Sequence, residues 1–168
     1  MLFSVYNVTS HKILITKITN IMDLYTIIKP IHSYLAFATL FLLAFATING
    51  IIGSTSEKSF EANHLKVNKF ALIATHTMFL LGLILLFVSP ITQSAFANMK
   101  VTMKDSTLRQ YAIEHPTINL IAIVLVTIGN ARVKRAVGNG RKFKQTAIFF
   151  GLALVLILSR IPWSAWLG

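Results

Sequence analysis

Four stretches of this chain are apolar for long enough to matter, and the polar residues fall almost wholly between them. They run from Ile31 to Gly53, Phe70 to Ile91, Tyr111 to Ala131 and Thr146 to Pro162. Crossing a bilayer as an α-helix takes about 20 mostly apolar residues. None of the four holds Lys, Asp or Glu in its central part. The pattern predicts an all-α integral membrane protein, a four-helix up-down bundle with short connectors and hence antiparallel neighbours. Residues 22–168 form a single four-span transmembrane domain. No repeat or low-complexity tract interrupts them.

The punctuation between spans supports this division. Pro30 suits a first helical turn, where its missing N–H is no loss. Gly50 and Gly53 close the first span, and Ser89-Pro90 closes the second. Residues 92–110 are polar, with Asp105 or Ser106 as candidate caps for the third helix. Pro116 cannot donate to the carbonyl of Ala112, so it should kink that helix or reset its start. An Asn139-Gly140 turn is expected between the basic clusters of the last connector. Residues 1–21 carry scattered Ile, Leu and Lys without a continuous apolar run. They are expected to be a loose or interfacial N-terminal extension, with Met22 a plausible start and His11 solvated. His64, among charged neighbours, is also expected to be solvated.

Composition narrows the function classes. Of 168 residues, 12% are charged and 55% hydrophobic, against roughly 25% charged in soluble domains. The net charge of +11 would suggest nucleic acid in a soluble protein. Here the basic residues flank spans, so membrane lipid is the expected partner and nucleic acid is not. Arg132, Lys134, Arg135, Arg141, Lys142 and Lys144 crowd one connector. With Lys58, Lys66 and Lys69 they give nine charges on one side, against seven on the other. The positive-inside rule then places both termini outside, in the periplasm if the membrane is a bacterial inner membrane. Absence of cysteine excludes disulfides, iron–sulfur clusters and covalently attached haem.

The candidate chemistry lies in three histidines within or at the rims of the spans. An ionisable side chain in hydrocarbon is costly and usually faces the bundle interior, and imidazole is a common axial ligand of haem iron. Depth separates the three. Counting about 1.5 Å per residue from each span midpoint, His32 lies roughly 15 Å and His115 roughly 9 Å toward the outer face. His76 lies roughly 6 Å toward the inner face. Only His32 and His115 are level enough to be axial ligands of one iron. Arg160, with Lys29 and Arg109, ends on that outer face and offers a fork for haem propionates. Glu114 is a candidate for ligand support or proton exchange. Asn119, one turn below His115, is a candidate to orient its ring. His76 is a third candidate ligand, a quinone or proton-relay contact, or a polar residue bonded to Thr75, Thr77 or a neighbouring helix. The stripe Ala36, Thr39, Leu43, Ala46 and Gly50 leaves room for a macrocycle, and equally suits close helix packing.

Lys29-Pro-Ile-His-Ser-Tyr-Leu-Ala, His76 with Leu80-Leu-Gly-Leu, Glu114-His-Pro and Leu158-Ser-Arg-Ile-Pro-Trp resemble the small four-helix bacterial membrane proteins labelled "cytochrome B". The resemblance covers roughly residues 22–163. It implies b-type haem (heme b), electron transport, and His32, His76, His115 and Arg160 as cofactor-binding positions. Single electrons are then expected to pass between a membrane donor such as quinol and a redox partner protein. A membrane enzyme acting on porphyrin or quinone, and a haem-free structural subunit of a respiratory or assembly complex, are the alternatives.

Overall fold

Every described segment of regular structure in the computed structural model is helical, and four helices are long and apolar enough to cross a membrane. Residues 2–164 are described, with side chains at Thr16 and from Thr19 onward. The expectation of a loose or interfacial extension over residues 1–21, and that of a solvated His11, fall largely on side chains outside the described residues. The long helices are α1 (Leu2–Ser54), α2 (Ala62–Val88), α6 (His115–Arg135) and α7 (Asn139–Ser159). Between α2 and α6 lie the short α3 (Pro90–Ala97), α4 (Met99–Thr102) and α5 (Ser106–Arg109), then a π-helical turn over Gln110–Glu114. The chain is a multi-pass membrane protein by the length and hydropathy of these spans.

The packing fits a lipid solvent. α1 packs on α2 and α7, and α6 packs on the same two helices, closing a four-membered ring. Lipid is as apolar as leucine, so spans associate through close backbone approach rather than through expulsion of water. The interior accordingly holds small residues: Ala46, Ala71, Ala122 and Ala153 are at most 1% exposed. Many large apolar side chains point outward, with Phe41 68%, Phe87 72% and Val155 64% exposed, while Leu43, Phe143 and Phe150 fill the interior beside the small residues. The stripe on α1 is inward-facing, with Thr39, Leu43, Ala46 and Gly50 all buried. At Gly50 a Cβ would come 2.6 Å from the Ala147 backbone nitrogen, so only glycine lets α1 and α7 close there. Threonines inside the spans satisfy their hydroxyls on carbonyls of their own helix. Thr39 donates to Leu35, Thr47 to Leu43 and Thr75 to Ala71, as a medium without water demands.

Several boundaries differ from the sequence expectation, each for a local reason. Pro30 sits inside α1 and does not start it. Helix-compatible residues precede it, and one lost backbone bond does not end a helix of 53 residues. The connector over residues 92–110, expected as a polar loop on the outer face (outer and inner name the two ends by that expectation alone), folds into short helices. Ser89 terminates α2 and Pro90 begins α3 at once. Asp105 does cap α5, its Oδ1 accepting from the Leu108 N–H at 2.9 Å. The inner turn falls earlier than Asn139-Gly140: Gly138 carries the positive φ of 89° and Asn139 already opens α7. His64 is not simply solvated. Its Nδ1 accepts the Glu61 N–H at 3.0 Å, in a capping box, and its ring lies 4.9 Å from that of Phe143.

Candidate functional site

Pro116 shapes the outer end of the bundle. It has no N–H for the Ala112 carbonyl, and its ring would crowd that carbonyl in a straight α-helix. The chain answers with one π turn, and the His115 N–H bonds to the Gln110 carbonyl, five residues back. Single π turns inside α-helices are frequent at functional sites. Here the turn delivers His115 to the start of α6, facing α1 and α7.

Pro162 does the complementary work on α7. The residue before a proline is pushed out of the α region, so α7 stops at Ser159 and leaves its last carbonyls without intrahelical donors. Two side chains from the α6 arm and one from just beyond α7 take up carbonyls there. His115 Nδ1–H donates to the Arg160 carbonyl at 2.8 Å. Gln110 Nε2 donates to the Ile161 carbonyl at 3.3 Å, and Trp163 Nε1 donates to Leu158 at 3.2 Å. With Nδ1 donating, neutral His115 carries its lone pair on Nε2. That is how ligating histidines are commonly held: one nitrogen anchored to a carbonyl, the other free for metal.

His32 meets this arrangement from α1. The two ring centroids are 6.5 Å apart, with planes at 72°. His32 Nδ1 is buried without any hydrogen-bond partner, which is costly in a low-dielectric interior. On its α2 side the ring lies against Gly82, where a Cβ would stand 3.4 Å from His32 Cε1. Glycine thus leaves the imidazole room in the middle of an otherwise bulky apolar helix.

Glu114 points away from the pair, into a cationic corner. Its Oε1 accepts from Arg109 Nε at 2.7 Å, and its Oε2 is 3.6 Å from an Arg160 guanidinium nitrogen. Arg109 also donates to the Met103 carbonyl at 2.8 Å. Arg160 therefore acts twice, by its carbonyl on His115 and by its guanidinium on Glu114. Asn119 does not orient the imidazole as expected. Its Nδ2 donates to the His115 backbone carbonyl at 2.7 Å, because a side chain one turn on reaches the main chain before it reaches the ring.

His76 stands apart from this cluster. Its Nδ1 donates to the Leu72 carbonyl at 2.8 Å, so its partners are not Thr75 or Thr77. Its Nε2 faces Thr127 Oγ1 at 3.4 Å, a weak contact because the one Thr127 proton goes to the Ile123 carbonyl at 2.7 Å. Thr127 is twelve residues along α6 from His115, about 18 Å of helix.

These residues fit a b-type haem better than a bare ion. No group of three or more His, Cys, Asp or Glu that could hold a metal occurs among the described residues, whereas a porphyrin brings four donors and asks for two. His32 and His115 are the residues that would hold such a group, one with a buried nitrogen free of partners and the other with its ring pinned at Nδ1. Sequence reasoning missed Gln110 and the role of Gly82. Counting from span midpoints left Gly82 roughly 12 Å short of the His32 level, so only the packed helices reveal that the two meet.

No protein-family model matches the chain, and neither a curated protein nor a solved structure is significantly similar to it.

Proposed function

We propose that this protein is a small membrane haem protein, in which His32 and His115 hold a b-type haem near the outer ends of α1 and α6. The observation that carries the reading is the facing pair of imidazoles, 6.5 Å apart, one of them fixed by the Arg160 carbonyl. Bound haem supplies reversible one-electron chemistry. His32 and His115 would hold it from two helices, a two-histidine donor set that disfavours oxygen chemistry and favours electron transfer. Arg109 and Arg160 already gather around one carboxylate, that of Glu114, and are the groups to receive propionates. His76, with protein partners on one nitrogen and near the other, lies outside this pair. Electrons would pass between a membrane donor of the quinol class and a redox partner protein. The connector charges support a bacterial inner-membrane location with both termini in the periplasm.

The test is a reduced-minus-oxidised spectrum of protein purified in mild detergent after expression with ample haem. A Soret band with low-spin α and β bands is expected, lost in His32→Ala and in His115→Ala. A wild-type protein without a Soret band removes the reading and leaves the membrane enzyme, which would turn over without haem, and the haem-free structural subunit.

A further inference from the structure

The inner end of the bundle holds a second polar feature, independent of the haem reading. An open groove of about 330 Å³ runs between the last turn of α6 and the first turns of α7, lined by Arg132, Arg135, Ala136, Arg141 and Gln145. Three arginines from two helices thus line it. None of them is paired with a carboxylate, since the ion pairs among the described residues all involve Glu114 at the opposite end. The stretch 132–145 contains no Asp or Glu at all.

Two further details make this more than a positive surface. The Arg132 guanidinium lies 5.4 Å from the Phe149 ring centroid, a cation–π contact that restrains the side chain. Gln145, on the groove wall, has an Oε1 without a donor, and a hydroxyl in the groove is a donor that a small turn of this amide would reach. Planar guanidinium forks match phosphate oxygens in paired hydrogen bonds. The groove also sits where two spans end, at the level of lipid headgroups.

We propose that this groove binds a phosphodiester carrying a neighbouring hydroxyl, the chemistry of a glycerol-phosphate group. The arginines take the phosphate oxygens, and Gln145 Oε1 accepts from the hydroxyl. The same chemistry is available from a phosphatidylglycerol headgroup and from free glycerol phosphate.

The experiment uses the full chain in lipid nanodiscs and in detergent. Retention of phosphatidylglycerol over phosphatidylcholine is read by native mass spectrometry, and protection against heat is read with glycerol 3-phosphate added in detergent. Two double variants are compared, with circular dichroism to check helicity: Arg135→Gln with Arg141→Gln in the groove, and Lys134→Gln with Lys144→Gln beside it. Wild type should favour phosphatidylglycerol by roughly tenfold, and the groove variant should lose that preference while the lysine variant keeps most of it. Gln145→Leu should lower retention by a smaller factor. Protection by glycerol 3-phosphate that the groove variant loses, with no lipid preference, assigns the same site to the soluble ligand. Equal losses in both double variants, or no preference and no protection in wild type, would overturn the proposal, because diffuse surface charge then explains the cations.

Discussion

The two ends of this bundle are built on opposite principles. At the inner end the helices close as tightly as backbones allow. Gly50 meets the α7 backbone at Ala147, and Gly53 lies against the Phe143 ring. Asn68 Nδ2 donates to Thr146 Oγ1 at 2.9 Å, and that hydroxyl donates to Lys142. At the outer end the helical ladder is broken twice, by Pro116 and by Pro162. The freed main-chain groups are used to hold side chains, and a buried imidazole nitrogen is left without a partner. The contrast teaches where main-chain contacts serve packing and where they hold side chains. The inner end pairs Asn68 with Thr146 yet leaves Gln145 Oε1 without a donor, whereas at the outer end an unpaired buried nitrogen stands beside a pinned second imidazole.

Substitutions can break or sharpen that contrast. The largest effect is expected at His115. His115→Ala removes one imidazole and frees the Arg160 carbonyl, so the Soret band of haem-supplemented protein should vanish. His32→Ala should also abolish it, but with a smaller loss of fold stability, because His32 Nδ1 holds nothing. At the inner end, Gly50→Val forces α1 away from α7 and should destabilise the fold by about 1–3 kcal/mol, read by thermal denaturation in detergent. The haem spectrum of what remains folded should be unaltered. Asn68→Ala should cost about 1 kcal/mol in the same assay. Glu114→Gln releases Arg109 and Arg160 and should change haem affinity less than about threefold, by titration. The smallest effect is expected from His76→Ala, which should leave the spectrum unchanged. Loss of haem in that variant alone would move the site to the middle of the membrane.

Much of this was legible in the residues, and the failures have a common cause. Runs without Lys, Asp or Glu marked the spans, since charge in hydrocarbon is costly. Counting residues from the span midpoints brought His32 level with His115, because helical rise is constant along an uninterrupted span. What sequence could not deliver were meetings between a side chain and a main-chain carbonyl. Arg160 was chosen for its guanidinium, yet its carbonyl touches His115. Asn119 was chosen for the ring, yet it reaches a carbonyl. Backbone carbonyls are identical at every position, so nothing in the letters says which one will be free. Pro116 announced an irregularity without saying that the chain would absorb it as a π turn. Pro30 announced a start where the helix simply continues.

The Arg160 carbonyl has one more implication. A latch made by the main chain has no codon of its own, so no exchange of the side chain at position 160 deletes it. Drift there can alter the charge beside Glu114 while the imidazole keeps its aim. Only a shift of the α7 terminus, by inserting or removing a residue ahead of Pro162, would leave His115 reaching for a carbonyl that has moved away.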